Sequence, residues 1–255
     1  MNIDQIYTLK NKTAIVTGAS KGIGLAIAQT YAQLGANVII SSRKQDAVDA
    51  VAKTLAEQGY SAKGIACHMG DGDQIQNLVK QTVEKFGGID IVVNNAAVNP
   101  IFGGVEDSDD AAFDKIMAVN VKGPLQLCKA SYPYLKENGG GSVINISSIE
   151  GITPGHGLGL YSVSKSALIQ LTKVLAREWG KNHVRANVIC PGLVKTKFSE
   201  ALTSNDKILQ MVMMKQALPT VAEPEDIAGL ALFLASDSSK FCTGGSYIAD
   251  GGYTI

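Results

Sequence analysis

The sequence predicts an α/β protein with a doubly wound parallel sheet, in a single domain. Short apolar runs alternate with longer segments of helical periodicity along the 255 residues. Several of the runs are apolar almost throughout, which is typical of strands buried on both faces of a parallel sheet. We see no Pro-, Gly- or Ser-rich linker and no internal repeat, so the alternation predicts one domain of βαβ units over residues 1–255.

The elements can be assigned in order from these two periodicities. The runs predicted to be strands are 13–17, 36–41, 64–67, 89–93, 142–147, 185–190 and 246–249. The segments predicted to be helices are 23–34, 44–58, 73–86, 111–137, 160–180 and 225–235. The longest irregular segment is 194–220, which we interpret as an insertion that forms a lid over a substrate.

Charge and cysteine usage narrow the class of protein. The chain carries 23 basic and 23 acidic side chains, which gives no support for a nucleic-acid or membrane-surface partner. Its four cysteines, Cys67, Cys128, Cys190 and Cys242, are far apart and suggest neither a metal site nor a disulfide framework. The amino-terminal residues do not read as a signal peptide, and no run approaches a membrane span. We expect a soluble cytoplasmic protein that binds a small molecule.

A glycine-rich turn follows the first predicted strand and opens the first predicted helix. The stretch TGASKGIG, residues 17–24, has glycines at Gly18, Gly22 and Gly24. Such a turn lets the backbone approach a pyrophosphate, and the helix N-terminus presents free N–H groups to the anion. An ordinary tight turn is the alternative, but the place between a strand and a helix favours a dinucleotide site.

The end of the second predicted strand indicates which dinucleotide would bind. Enzymes that use NAD usually carry a carboxylate there, whereas this chain has Ser42, Arg43 and Lys44, with Asp46 already in the helix. A guanidinium suits a 2′-phosphate, and Lys21 could add a second charge. The pattern favours NADP(H) over NAD(H), although Arg43 and Lys44 could also simply be solvated.

The stretch YSVSK places Tyr161 four positions before Lys165. On a helix these side chains lie on one face, and an adjacent positive charge lowers the pKa of a tyrosine. Such a tyrosine could donate and accept a proton near neutral pH. Taken alone, the same pair also fits an exposed helix face.

Several motifs occur together in a fixed order. After the glycine loop come NNAA (94–97), Asn120, the serines at 147–148, YSVSK and PGLVKT (191–196). With this set the chain resembles the short-chain dehydrogenase/reductase family, from about residue 12 to residue 252. The resemblance implies a Rossmann-type sheet of about seven strands and a nicotinamide cofactor. It also implies a catalytic set of Asn120, Ser148, Tyr161 and Lys165.

The resemblance assigns a role to each of these four residues. Tyr161 would exchange a proton with the substrate oxygen, while Ser148 would hold that oxygen. Lys165 would lower the pKa of Tyr161 and bind the nicotinamide ribose, and Asn120 would help to anchor a water chain to solvent. Ser148 is preferred to Ser147 because it stands 13 positions before Tyr161, the usual family spacing.

The remaining cofactor contacts also follow from the resemblance. They would come from Gly18, Ser20, Lys21, Gly22, Ile23, Gly24, Asn95, Ala96, Pro191, Gly192, Val194 and Thr196. Two departures stand out, because many members have glycine where Ala97 stands and an Asp-Val pair where His68 and Met69 stand. Met69 remains a candidate cofactor contact, but the contact to the adenine amino group is expected to differ in kind.

Among subfamilies, SSRKQ and AAVNP most resemble the NADP-dependent carbonyl and retinal reductases. We therefore expect reduction of a hydrophobic ketone or aldehyde, with apolar walls from Leu158, Leu160, Val194 and Phe198. Met211, Met213 and Met214 in the insertion could form an apolar lid, or they could equally pack within the insertion or against a neighbouring subunit. His156 could touch substrate or face solvent.

A 3-ketoacyl-carrier-protein reductase is an alternative, but Gly139 and Asn182 stand where carrier-docking arginines would be. An epimerase and a non-catalytic dinucleotide sensor are further alternatives, and the resemblance implies a homotetramer.

Overall fold

The computed structural model describes residues 6–255, without the side chains of Ala201 and Ile208. Over this range seven parallel strands form one sheet in the order β3-β2-β1-β4-β5-β6-β7, flanked by helices, which confirms the predicted fold class. The strands are β1 (Thr13–Thr17), β2 (Asn37–Ser42), β3 (Ala62–Ala66), β4 (Ile91–Asn94), β5 (Gly141–Ile146), β6 (Val184–Pro191) and β7 (Ser246–Ala249).

The helices alternate with the strands, as the periodicity predicts. They are α1 (Gly22–Gln33), α2 (Gln45–Glu57), α3 (Gly72–Phe86), α4 (Asp110–Met117), α5 (Gly123–Glu137), α6 (Gly159–Trp179), α7 (Glu200–Thr203), α8 (Asp206–Lys215) and α9 (Pro224–Ala235). In the described part of the chain, no helix has the length and apolar character needed to cross a bilayer.

The central strands β1 and β4 are buried along their whole length because helices cover both faces of the sheet. In β1, Ala14 and Val16 pack into one core cluster, whereas Ile15 between them packs into a second cluster on the other face. Alternate residues of a strand point to opposite faces, so both faces need apolar side chains. All five residues of β1 are buried.

The helix boundaries have local causes that the sequence displays. At the start of α3, the Asp71 carboxylate accepts hydrogen bonds from the backbone N–H groups of Asp73 and Gln74. The helix ends at Gly87, which has a φ of 83° and donates its N–H to the Val83 carbonyl oxygen. Both are standard ways of satisfying the free backbone groups at helix ends.

The predicted continuous helix 111–137 is interrupted, and that prediction was wrong in this respect. A π-helical turn over Ala118–Lys122 separates α4 from α5. Next to this turn, a Cβ added to Gly123 would overlap the Met69 carbonyl oxygen. Apolar periodicity does not distinguish a π turn from an α turn, because the difference depends on contacts with segments distant in sequence.

Segment 194–220 is also more regular than predicted, since it contains α7 and α8. Beyond α8, the Gln216 side-chain amide donates to the Asp250 carbonyl oxygen at 3.0 Å. Leu218 N donates to the Gly251 carbonyl oxygen at 2.8 Å. The turn that follows β7 therefore holds the far end of this insertion.

Candidate active site

The glycine loop lies at the carboxyl end of β1, next to that of β4. From β1 the chain continues toward the β3 edge of the sheet, and from β4 it continues toward the β7 edge. The hydroxyl of Thr17 donates to Val93 O and accepts from the backbone N–H groups of Asn95 and Ala96. The Asn95 side chain donates to the carbonyl oxygens of Thr17 and Gly18 at 2.9 and 3.2 Å. These bonds join the glycine loop to the loop after β4, at the crevice where doubly wound sheets bind ligands.

The glycines of this loop are required by its geometry. Gly18 and Gly22 have φ values of 65° and 59°, which side-chain-bearing residues rarely adopt. A Cβ on Gly18 would lie 2.7 Å from Asn95 Nδ2, and one on Gly22 would lie 3.2 Å from the Thr196 methyl group. Because these glycines have no side chains, neighbouring segments approach the loop closely and no Cβ stands between the loop and a ligand.

The N-terminus of α1 is suited to an anion. Lys21 precedes the helix without forming a side-chain cap, and the first turn has no acidic residue. Of the other predicted contacts here, Ser20 and Ile23 are half-buried and Gly24 is buried. Uncapped N–H groups at this end of α1 fit the pyrophosphate of a dinucleotide.

At the end of β2, Ser42 is half-buried, while Arg43 and Lys44 are exposed. Neither basic residue has an ion-pair partner among the described residues. In the next loop, Met69 is buried, and His68 accepts a hydrogen bond at Nδ1 from Gly70 N at 3.1 Å. The Nδ1 atom of His68 thus accepts a hydrogen bond from the backbone of the same turn.

Tyr161 and Lys165 lie on α6 and are both buried, so the exposed-face alternative is wrong. The Lys165 ammonium donates to the Ile146 carbonyl oxygen at 2.8 Å and lies 5.5 Å from the centroid of the Tyr161 ring. Burial lowers the pKa of Lys165 to about 8, while the nearby Cys190 raises it.

The expected lowering of the tyrosine pKa is not seen in this structure. Burial raises the pKa of Tyr161 well above its ordinary value, a hydrogen bond from Ser148 lowers it, and the charge of Glu150 raises it further. Burial dominates because it removes the water that would solvate a phenolate.

Of the two serines, Ser148 is the one next to the tyrosine hydroxyl. Ser147 is buried and donates its hydroxyl to the Lys165 carbonyl oxygen at 2.8 Å. Ser148 ends the β5 loop and accepts at Oγ from Glu150 N at 3.1 Å. Ser148, and not Ser147, therefore lies within hydrogen-bonding reach of Tyr161.

Asn120 lies in the π-helical turn, and its side chain is fully buried. Its oxygen accepts from Val98 N, and its amide donates to Val98 O and to Ser164 Oγ, at 2.9, 2.9 and 3.0 Å. Since both N–H groups are used, the side chain itself donates nothing to a water chain. It instead ties the loop after β4 to α6.

Pro191 ends β6, and the segment from Gly192 to Thr196 follows it. Gly192 N donates to Ala249 O at 2.9 Å, and Ser199 Oγ donates to Val194 O at 2.5 Å and shares a hydrogen bond with Thr196 Oγ1 at 3.1 Å. Thr196 also faces Gly22, as described above. The end of β6 and the glycine loop therefore meet across the crevice.

These features together fit a nicotinamide dinucleotide. The uncapped α1 N-terminus would take the pyrophosphate, and the narrow crevice beside Gly18 has room for no side chain. Tyr161 and Lys165 lie near the carboxyl ends of β5 and β6, where Lys165 contacts Ile146 O and has Cys190 as a neighbour.

Proteins similar to this chain in sequence and fold belong to one family of dehydrogenases and reductases. A family model described as enoyl-(acyl carrier protein) reductase matches residues 18–254. Dehydrogenase/reductase SDR family member 4 from Homo sapiens is 43% identical over 244 residues, covering 96% of this chain and 88% of that protein. The chain belongs to the short-chain dehydrogenase/reductase family. It is therefore an oxidoreductase of a family that binds nicotinamide dinucleotides.

Solved structures of the family have the same fold. A short-chain type dehydrogenase/reductase from Mycobacterium marinum is 33% identical, with a TM-score of 0.91 and 98% of both chains covered. A gluconate 5-dehydrogenase from Burkholderia cenocepacia, in complex with NADP and tartrate, is 25% identical, with a TM-score of 0.95 and 99% of both chains covered. The name of the Mycobacterium marinum protein states no substrate, and the family fold alone leaves the substrate of this chain open.

Three residues that hold the loops of this site in place were not predicted from the sequence. The Thr17 hydroxyl joins the glycine loop to the loop after β4, and the Ser199 hydroxyl holds the turn from Val194 to Thr196. Ser164 accepts from Asn120 while donating to Tyr161 O at 2.7 Å. The position of Ser164 within YSVSK was a signal that could have been used. Thr17 and Ser199 carried no signal, since their partners are distant in sequence or lie in a segment expected to be irregular.

Proposed function

We propose that the protein is an NADP(H)-dependent reductase that interconverts a hydrophobic ketone or aldehyde and its alcohol. The observation that carries this proposal is the buried Tyr161 hydroxyl next to Ser148, with the Lys165 ammonium close to the tyrosine ring. The three groups lie where the chain leaves β5 and enters α6.

In this site each side chain has a distinct task. A bound nicotinamide would supply or accept the hydride. The Tyr161 hydroxyl donates its proton to the substrate oxygen during reduction and recovers it during oxidation. The Ser148 hydroxyl donates a hydrogen bond to the same oxygen, and the Lys165 cation stabilises the phenolate that remains on Tyr161.

The preference for NADP(H) rests on the end of β2. Arg43 and Lys44 are exposed at the start of α2, and the first carboxylate, Asp46, already lies in the helix. Unpaired cations at this position favour a 2′-phosphate over a 2′-hydroxyl.

The preference for a hydrophobic substrate rests on apolar side chains around the tyrosine. The Phe198 ring centroid lies 6.0 Å from that of Tyr161, and Phe198 is 57% exposed. Met211 and Met214 are also exposed on α8, and they would form an adaptable lid over such a substrate. His156 is exposed on the loop before α6.

A 3-ketoacyl thioester remains the second candidate substrate, because the matched family model describes an enzyme of acyl carrier protein substrates. The positions that would dock an acidic carrier protein offer no charge. Gly139 has no side chain, and the Asn182 amide donates to the Tyr132 hydroxyl at 2.6 Å. We therefore favour a free carbonyl compound.

We also infer a homotetramer. A groove between α5 and α6, with a volume of about 310 Å³, is lined by Leu125, Tyr132, Leu171, Val174 and Trp179 among others. Phe241 before β7 and Ile248 on β7 are also exposed. Exposed apolar side chains away from the groove suit an assembly with a second kind of contact.

Initial rates with NADPH and with NADH, against ethyl acetoacetate, acetoacetyl thioester, aryl ketones, retinal and sugars, test the function. We expect NADPH-dependent turnover of the hydrophobic carbonyls that is lost in Tyr161→Phe, while NADPH binding is kept. Sugars turned over as well as aryl ketones, or full activity of Tyr161→Phe, would contradict the proposal.

A further inference from the structure

Glu150 places a carboxylate beside the substrate end of the site. It lies two residues after Ser148, in a short turn over Ile149–Gly151 that Ser148 caps. Its backbone N–H donates to Ser148 Oγ at 3.1 Å. The position of Glu150 is thus fixed by the residue that would hold the substrate oxygen.

The carboxylate is held between the loop before α6 and α6 itself. Oε2 accepts from Gly155 N at 2.5 Å and from Ser162 Oγ at 3.1 Å, and Ser162 is next to Tyr161. Oε1 lies against Gly155, where an added Cβ would be 2.7 Å away. Hydrogen bonds from two different elements thus fix the position of the carboxylate.

Its charge is not neutralised locally. The ion pairs of the described residues join Lys12 to Asp90, Lys53 to Glu57, Lys80 to Glu84 and Lys195 to Glu223. Within residues 6–255, no basic side chain, including that of the neighbouring His156, forms an ion pair with Glu150. Half-buried and unpaired, the charge is only partly screened by solvent.

The field of this charge reaches the reacting group. Burial is the larger cause of the raised pKa of Tyr161, and the negative charge of Glu150 raises that pKa further. A substrate oxygen bonded to the Tyr161 hydroxyl would lie in the same field. A carboxylate next to the carbonyl would then be repelled, whereas an ester or an alkyl group would not.

We propose that Glu150 is a specificity-determining residue that restricts the site to neutral carbonyl compounds and disfavours keto acids. This inference rests on the proposed function and narrows its substrate class. It separates the protein from the gluconate 5-dehydrogenase of similar fold, whose name denotes a carboxylate-bearing substrate.

The test compares ethyl benzoylformate with benzoylformate, which differ at the carboxyl group alone. We expect kcat/KM with NADPH to favour the ester, and Glu150→Gln to reduce the ester-to-acid ratio by about tenfold or more. Glutamine keeps the acceptor for Gly155 N and Ser162 Oγ, so the loop should stay in place. Glu84→Gln, on the exposed face of α3, removes one charge elsewhere and should leave the ratio unchanged.

A binding measurement keeps this inference separate from the proposed function. Calorimetric titration of both compounds into Tyr161→Phe loaded with NADPH, with and without Glu150→Gln, reports the same discrimination without turnover. Tighter binding of the ester that Glu150→Gln removes would support the inference even if the native protein reduced neither compound. An unchanged ratio in Glu150→Gln, or an equal loss for both compounds, would show that Glu150 only holds the loop and would overturn it.

Discussion

Lys165 brings a positive charge into the interior, where its hydrogen-bond partner is the Ile146 carbonyl oxygen. Burial lowers the pKa of Lys165 from 10.5 to about 8, so the charged form is disfavoured in the folded protein. Below pH 8 the lysine is charged in both states, and folding then carries a cost of about 3 kcal/mol. This cost falls as the pH rises from about 8 toward the unfolded value of 10.5, because the folded protein releases the proton first.

Replacing this lysine should change how stability depends on pH. We expect the free energy of unfolding of Lys165→Met, relative to the native protein, to be highest below pH 8 and to decline above it. Urea denaturation over that pH range measures the difference. Lys53→Met, on the exposed surface of α2, should show no such trend, and a flat difference for Lys165→Met would contradict the shifted pKa.

Arg43 provides a test of cofactor choice. We expect Arg43→Ala to raise the dissociation constant for NADPH by about tenfold to a hundredfold, since a charge-assisted hydrogen bond to the 2′-phosphate is lost. The constant for NADH should change little. Fluorescence titration with both dinucleotides gives the values, with Lys53→Ala as the control, and an equal effect on NADPH and NADH would refute the role of Arg43.

At the scale of elements, the π-helical turn between α4 and α5 positions Asn120 against Val98 and Ser164. This turn brings three segments together: the loop after β4, the π-helical turn itself and α6. Gly123 allows the start of α5 to approach the loop that contains Met69. Close backbone approach of this kind is a usual reason for glycine at a packed position.

Gly123→Ala should therefore destabilise the protein strongly, by about 2 kcal/mol or more, because a methyl group would overlap the Met69 carbonyl oxygen. The matched control is Gly229→Ala in α9, where a Cβ meets nothing within 4 Å. That change should be neutral or stabilising by about 0.5–1 kcal/mol, since alanine is the better helix former. Thermal unfolding of the two variants measures these changes in stability. A similar loss of stability in both would contradict the overlap with the Met69 carbonyl oxygen.

Most of the elements could be predicted because their causes are local. The apolar run of β1 and the glycine after α3 each determine an element through neighbouring residues. The π-helical turn could not be predicted, because Asn120 and Gly123 acquire their roles from Val98 and Met69, which are distant in sequence. For the site, the spacing of Tyr161 and Lys165 predicted their shared face, but the dominant effect of burial on the pKa of Tyr161 required the surrounding fold.

At the scale of the whole molecule, the apolar groove between α5 and α6 is a candidate contact between copies of the chain. We expect light scattering to give four times the monomer mass of 26.8 kDa. Val174→Glu, which places a charge in the groove, should reduce the assembly, whereas Lys173→Glu on the adjacent exposed position should not. A monomer for the native protein, or equal effects of both changes, would exclude this groove as the contact.

The hydrogen bonds between the turn after β7 and the end of the insertion have a practical consequence. Asp250 organises that turn by accepting from the N–H groups of Gly252 and Thr254 and from the Thr254 hydroxyl, while its own carbonyl oxygen holds Gln216. A tag fused directly after Ile255 would adjoin the turn to which the far end of segment 194–220 is bonded, the segment that we propose as the substrate lid. Such a tag should therefore be removed before kinetic work on this enzyme.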